Sequence, residues 1–383
     1  MKKPNRTLDM FLTSRRTPLN LARVRAAEAR AKHLQLAKEN HQETHRDPPN
    51  RVGNRYHLIS PQVLSLFTHE EYESAMHLVK EIRTSVLDLN RKVILDLTNC
   101  ERVDAAAVLK LHAEIELIES LCAKSYPNVT VLPPKSRKVK AFLSRVGFCS
   151  SVKAADGAGL LALQSHDDGS TILGNLLKDM NRSLYNGEAK TEGEEWAAMS
   201  LAISEAMLNV RNHAYTFEVE KKREIWPERQ SFVEQIGRRW WIVGETHNDQ
   251  LFLALYDKGV GIPNALTKKD PAVYKVLNRL MRMATRRFGG GPDSAAIKAA
   301  VAVGVSGTKK GGRGFGLNDI SEFVRQNPKG QLRIFSNCGV YKYSSQDKSE
   351  QMIEQSSSIH GTLIVWNVAL INIRAEIPME AAA

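Results

Sequence analysis

The sequence has 383 residues, of which 42% are hydrophobic and 25% are charged, and this length allows roughly two to three domains with buried cores. No apolar run approaches the roughly 20 residues of a membrane-spanning helix, so we expect no contact with a membrane. The scattered cysteines indicate neither a disulfide framework nor a zinc site. They are Cys100, Cys122, Cys149 and Cys338.

The net charge of +12 is concentrated in the first part of the chain. Residues 1–51 contain 12 Lys or Arg and 5 Asp or Glu, a surplus of +7, which leaves +5 for the remaining residues. Residues 1–54 have few large apolar side chains, and residues 19–40 are rich in Ala, Arg and Leu, so we predict a basic arm that is helical or flexible. The only apolar patch near the start, residues 10–12, is too short for a signal peptide, and we expect a cytoplasmic protein.

Residues 55–157 alternate between strand and helix patterns. Strands are predicted at residues 92–97 and 128–132, which are rich in β-branched residues, and helices at residues 104–121 and 136–146. Such alternation predicts a small α/β domain.

The order of these elements resembles the STAS domain of anti-sigma-factor antagonists. It runs from the strand KVILDL through Val103 and Asp104 to a helix, and then from NVTVLPP to a helix that ends in RVGF. Regulatory members of that family have a phosphorylatable serine directly after the aspartate, whereas Ala105 stands there in this chain. The resemblance therefore implies a docking or dimerisation module without a phosphoryl switch at this position.

A second predicted region follows and contains the first of three polar segments. Its predicted helices cover residues 171–184 and 194–215, and its predicted strands cover residues 239–245, 251–256, 331–335 and 362–368. In the second helix, SEAMLNVRNHAY places Glu205, Asn209 and His213 four residues apart on one face. These side chains suit a general base, a hard-metal ligand and a hydrogen-bonding partner, although a solvated helix face gives the same pattern.

The second polar segment is the sequence Asp257-Lys258-Gly259-Val260-Gly261, which directly follows the strand LFLALY. Asp-x-Gly-x-Gly lets the backbone turn tightly beside a ligand, while the carboxylate at the strand end accepts a hydrogen bond from an amino group. On its own the motif is weak, because calcium loops and ordinary turns have similar sequences.

The third polar segment is a loop at residues 304–316 with six glycines in thirteen residues. Glycines allow backbone N–H groups to converge on phosphate oxygens, and a helix that begins near Leu317 would add its N-terminal dipole. Lys309, Lys310 and Arg313 supply positive charge. The loop has neither the Gly-Lys-Ser/Thr of a Walker loop nor a dinucleotide fingerprint, and a flexible linker is the alternative interpretation.

Together and in this order, the three segments resemble the GHKL, or Bergerat-fold, nucleotide-binding domain of histidine kinases, gyrase-type topoisomerases, Hsp90-like chaperones and mismatch-repair ATPases. The helix SEAMLNVRNHAY is especially similar to that of anti-sigma-factor serine kinases. The resemblance implies a domain at residues 165–383 in which helices pack on a mixed sheet, with ATP and Mg²⁺ as cofactors. The predicted architecture is therefore a STAS-like α/β domain followed by a Bergerat-type α/β sandwich.

The GHKL resemblance also assigns roles to residues. It implies that Glu205 is the base that polarises the attacking water or hydroxyl, that Asn209 ligates Mg²⁺ and that Asp257 binds the adenine amino group. Gly259 and Gly261 would shape the pocket. The other residues assigned to the nucleotide site are His213, Lys309, Lys310, Gly312, Arg313, Gly314, Phe315, Gly316, Leu317 and Thr362.

Residues 264–310 correspond to the lid of that family. Lys275, Arg279, Arg282 and Arg286 are spaced to form one cationic stripe on a predicted helix, and three glycines then offer a hinge. We expect a lid that orders over bound nucleotide or presents the stripe to an acidic partner. A solvated helix face is the alternative.

These resemblances imply an Mg²⁺-dependent regulatory ATPase whose nucleotide state controls its contacts with a protein partner. Two alternatives stay open, a serine/threonine kinase that acts on a separate antagonist protein and a non-catalytic ATP-sensing scaffold in a bacterial regulatory or defence complex. Members of the family often form homodimers. The basic arm and the lid stripe leave nucleic acid as a further partner.

Overall fold

The fold is described from a computed structural model of the chain. The chain divides into two compact units, residues 1–51 and 52–383, and every described residue except Arg51 belongs to the second. The described residues are 51–52, 55–122, 128–148, 160–166, 172–185, 193–210, 214, 239–247, 249–266, 271–303 and 316–370. The predicted basic arm lies almost entirely outside them.

The described residues form thirteen strands, nine α-helices and one π-helical turn, Thr84–Asp88. The strands are β1 (Arg51–Val52), β2 (Arg55–Ile59), β3 (Val63–Leu64), β4 (Lys92–Asp96), β5 (Arg102–Val103), β6 (Val129–Leu132), β7 (Leu160–His166), β8 (Trp240–His247), β9 (Gln250–Asp257), β10 (Gln331–Ser336), β11 (Gly339–Ser344), β12 (Ser349–Glu354) and β13 (Thr362–Ala369). The helices are α1 (His69–Arg83), α2 (Ala105–Leu121), α3 (Arg137–Arg145), α4 (Ile172–Tyr185), α5 (Glu194–Asn209), α6 (Ile262–Leu266), α7 (Pro271–Phe288), α8 (Pro292–Val303) and α9 (Gly316–Gln326).

The smaller sheet is parallel where β2, β4 and β6 lie side by side. Each parallel connection contains a helix, α1 between β2 and β4 and α2 between β4 and β6, as parallel pairing requires. Side chains cap the N-termini of these helices, since Thr68 accepts from the Glu71 amide and Asp104 from the Ala107 amide. Two strands and two helices predicted from the sequence are present here, with ends within a residue or two of the prediction.

The larger sheet is antiparallel throughout and has the order β12-β11-β10-β13-β9-β8-β7. Side chains alternate across it, so a row of residues in register shares one face. The row that contains Trp241, Tyr256 and Phe335 faces α1 and α2, because Tyr72 of α1 stacks on Phe335 and Trp241 Nε1 donates to Glu116 of α2. The neighbouring rows face α8 and α9.

Helix α2 lies between the two halves of this unit. Its first seven residues, 105–111, are all buried, as expected of a helix that is apolar on nearly every side. It packs against α1 and, on its other side, against β8 and β9. One continuous apolar core therefore joins Val93 and Leu95 of the smaller sheet to Trp241 and Tyr256 of the larger one.

The architecture confirms a mixed α/β fold with both parallel and antiparallel sheets. None of the nine described α-helices has both the length and the apolar character that crossing a membrane requires. The hairpin of β11 and β12 was not among the predicted elements. Its second strand, SEQMIE, is an edge strand with one buried side chain, and such a polar edge strand carries little hydrophobic pattern.

Candidate functional site

The candidate site lies at one edge of the larger sheet, where β9 and β10 end and β13 begins. Asp257 is the last residue of β9 and is in register with Thr362, the first residue of β13, which is in register with Ser336, the last residue of β10. The three side chains therefore share one face, and all are buried. The Ser336 hydroxyl lies 3.2 Å from that of Thr362, so this end of the sheet is polar.

The chain turns sharply after Asp257, and glycines make the turn sterically feasible. The Gly259 amide donates to Asp257 Oδ1 at 2.7 Å. Gly261 has a φ of +78°, and a Cβ there would lie 2.6 Å from Asn337 Oδ1, so a larger residue would be both strained and obstructed. The Ile262 amide then donates to Ser336 Oγ at 2.8 Å, which ties the turn to the end of β10.

The Asp257–Gly261 turn is also held against the chain that follows α5. The Val260 amide donates to the carbonyl oxygen of Ala214 at 2.8 Å. A Cβ added to Gly259 would lie 2.4 Å from the Ala214 Cβ, so only glycine allows this approach. The fold thus brings the first and second polar segments of the sequence into contact.

Helix α9 packs along α5 and places a second carboxylate near Glu205. Burial raises the pKa of Glu205 above its ordinary value, and the negative charge of Asp319 raises it further. Burial likewise raises the pKa of Asp319. A carboxylate with a raised pKa is a stronger base than an ordinary carboxylate, which suits proton transfer.

Asn209 is the last residue of α5, one turn beyond Glu205. Its Nδ2 atom is buried and has no hydrogen-bond partner among the described residues. Buried amide groups are normally satisfied, so this side chain has hydrogen-bonding capacity that the described part of the fold does not use. Nδ2 can only donate a hydrogen bond, whereas the side-chain oxygen Oδ1 is the Asn209 atom of the type that Mg²⁺ takes as a ligand.

The other predicted site residues lie either at the start of α9 or outside the described part of the chain. Gly316 and Leu317 are the first two residues of α9, so the predicted helix start is correct. Seven predicted residues lie outside the described part of the chain. They are His213, Lys309, Lys310, Gly312, Arg313, Gly314 and Phe315.

Three residues near the site have no role in it assigned from the sequence. Asp319 is a single acidic residue in the first turn of α9, and nothing in its neighbourhood marks it. Ser336 ends a strand whose role is visible only once its partner strands are known. Gly361 precedes β13 with a φ of +141°, and a Cβ there would lie 1.9 Å from the Asp257 carbonyl oxygen. A glycine directly before a predicted strand was the one available signal for it.

Within the described residues, no group of three or more His, Cys, Asp or Glu side chains is arranged to hold a metal ion. Comparisons with protein-family models, with curated proteins and with solved structures give no match to this chain.

Proposed function

We propose that residues 165–383 form a Bergerat-type domain that binds ATP with Mg²⁺, and that residues 55–157 form a STAS-like module in the same cytoplasmic protein. The observation that carries this proposal is the hydrogen bond from the Val260 amide of the Asp257–Gly261 turn to the carbonyl oxygen of Ala214, in the chain that follows α5. That contact joins a helix with a carboxylate and an amide to an aspartate–glycine turn, the combination that an adenine nucleotide site of this type requires.

In the proposed site, Asp257 accepts a hydrogen bond from the adenine amino group, and Thr362 lies beside the base. Glu205 accepts a proton from the attacking water, and its raised pKa makes it a stronger base for this step. Asn209 is the residue that would hold Mg²⁺, and the ion would neutralise charge on the phosphates. The nearby carboxylates of Glu205 and Asp319 make a cation favourable in this region.

The same interpretation extends to the loop before α9. Gly316 opens α9, so phosphates near this end would meet its N-terminal amide groups. Gly312 and Gly314 would approach the phosphates, and Lys309, Lys310 and Arg313 would supply positive charge. Hydrolysis is favoured over phosphorylation within the chain, because Asp104 is followed by Ala105 and its carboxylate oxygens accept bonds from the Leu66 and Ala107 amides at 2.9 and 2.7 Å.

The pocket is tested by calorimetric titration of the full chain with ATP and GTP, with and without Mg²⁺. We expect the wild type to prefer ATP and Asp257→Asn to lose about 10- to 100-fold in ATP affinity, since a buried hydrogen bond to a charged group is removed. The matched control is Asp249→Asn, an exposed carboxylate at the other end of β9, which should bind as the wild type does. No heat with saturating ATP and Mg²⁺ in the wild type would refute the proposal.

Hydrolysis and phosphotransfer are separated by incubation with ATP labelled on its terminal phosphate. An ATPase releases free labelled phosphate and leaves proteins unlabelled. Label on an added antagonist protein would instead support the kinase, and binding without either product would support the ATP-sensing scaffold.

A further inference from the structure

A buried cluster of charged side chains connects α2 to the Asp257–Gly261 turn. Lys258 Nζ lies 2.6 Å from both carboxylate oxygens of Glu114. Lys110 Nζ lies 3.1 Å from Glu114 Oε2 and donates to the Tyr256 hydroxyl at 2.9 Å. Lys110, Glu114 and Lys258 are at most 5% exposed, so these are charges inside the core.

The position of Lys258 in the chain makes the cluster relevant to the candidate site. Lys258 stands between Asp257 and Gly259, the two residues joined by the 2.7 Å hydrogen bond that forms the turn. Because side chains alternate along β9, Asp257 faces the candidate site while Tyr256 faces α2. Lys258 follows toward α2, so one dipeptide links the site to the helix on the opposite side of the sheet.

Glu114 is the carboxylate that makes the burial of these cations tolerable. Arg83 Nη1 also lies 3.8 Å from Glu114 Oε1, so three cations share one carboxylate. Burial lowers the pKa of Lys258 to about 7, and Glu114 opposes that change. Glu114 accepts both 2.6 Å bonds from Lys258 Nζ, so its removal leaves a buried ammonium group or amine without that acceptor. Without Glu114 the Lys258 side chain would therefore leave its place and shift the turn.

We propose that Glu114 is a positioning residue for the candidate purine pocket, and that it acts through Lys258 to hold the Asp257–Gly261 turn. Helix α2, which follows β4 of the smaller sheet, would thereby influence the nucleotide affinity of the site on the larger sheet. This inference rests on the proposed function for its consequence, although the effect on the turn can be measured without any nucleotide.

The first experiment compares Glu114→Gln with Glu116→Gln in the full chain. Glu116 is a matched control, because it lies on the same helix and accepts hydrogen bonds from Arg239, directly before β8, and from Trp241 in β8, at 2.6 and 2.7 Å. Among the described residues it has no such bond to the turn. Amide hydrogen exchange of residues 257–261, measured without nucleotide, should accelerate at least about 10-fold in Glu114→Gln and little in Glu116→Gln. Equal effects of the two variants, or no effect of the first, would overturn the positioning role.

The second experiment is a double-mutant cycle with Lys258→Met. If Glu114 acts through Lys258, each single variant should weaken ATP binding about 10-fold and the double variant no more than either one. Additive losses would contradict the mechanism. Should Glu114→Gln fail to fold, Lys258→Met takes its place in the first experiment. Unchanged amide hydrogen exchange of residues 257–261 in Lys258→Met would then overturn the proposal. If the turn responds but the wild type binds no ATP, the positioning role stands and the nucleotide function fails.

Discussion

At the scale of single residues, the carboxylates of Glu205 and Asp319 would determine how the proposed activity responds to pH. Glu205 must be deprotonated to accept a proton, and its pKa is raised first by burial and then by Asp319. Activity that depends on Glu205 should therefore fall as the pH decreases through this raised pKa. The position of that fall depends on the neighbouring charge.

We predict that Asp319→Asn shifts the acid side of the pH–activity profile of the proposed ATP hydrolysis toward lower pH. The substitution removes the negative charge that disfavours ionised Glu205, so the pKa of Glu205 moves toward its ordinary value. The measurement is the rate of phosphate release across the acid and neutral pH range. Glu322→Gln, an exposed residue of the same helix, serves as the control for a general change in charge. An acid side that stays in place in Asp319→Asn would contradict the coupling.

At the scale of secondary structure elements, α7 stands out because all of its charged residues are basic. The four residues of the predicted stripe, Lys275, Arg279, Arg282 and Arg286, are all exposed, and no ion pair is seen for them within the described residues. The predicted helix is thus confirmed and its stripe is exposed, while the role of the stripe stays a prediction.

We predict that the double substitution Arg279→Glu and Arg282→Glu weakens binding to ATP or to a polyanionic partner by about tenfold, with a lower dependence on salt. Fluorescence titrations with ATP and with double-stranded DNA at several salt concentrations measure this. The control replaces Lys178 and Lys329, two exposed lysines on other parts of the chain, by Glu. Thermal stability should not change in either protein, because exposed side chains contribute little to it. Unchanged affinity for both ligands would leave the stripe as a solvated helix face.

Elements with a strong hydrophobic pattern could be predicted from the sequence, and so could the local polar motifs. The strands β4, β8, β9 and β13 are apolar runs, and α2 and α5 have helical periodicity, so their positions followed from pattern alone. The pairing of Lys258 with Glu114 could not, because 144 residues separate them and only the packing of α2 on the sheet brings them together. Asp319 was missed for the same reason, since its effect on Glu205 depends on how α9 packs along α5.

At the scale of the whole molecule, the buried cluster should influence stability as a function of pH. Lys258 has a pKa of about 7 in the folded protein, below the ordinary pKa of lysine, about 10.4, in the unfolded chain. Between these values the unfolded chain binds more protons, so the free energy of unfolding rises with pH across this window. Below about pH 7 both states are protonated, and this group adds no further pH dependence.

We predict that Lys258→Met removes this rise. Urea unfolding at several pH values between about 7 and about 10 should show the wild type gaining stability relative to Lys258→Met as the pH increases. The groups that face Lys258 are Glu114, Lys110 and Arg83, and all three remain in the variant. Lys329→Met, which removes an exposed lysine, should follow the wild type. Parallel curves for wild type and Lys258→Met would show that Lys258 keeps an ordinary pKa.

The continuous core around α2 constrains how the gene can be shortened. A truncated chain that began at Leu160 would still include the seven strands of the larger sheet, but it would lack the helix that covers Trp241 and Tyr256, both fully buried in the intact chain. Water would then reach large aromatic rings over a contiguous patch, and such patches promote aggregation. Expression of the C-terminal half alone is therefore a poor route to a soluble sample, and biochemistry on this chain should keep both halves joined.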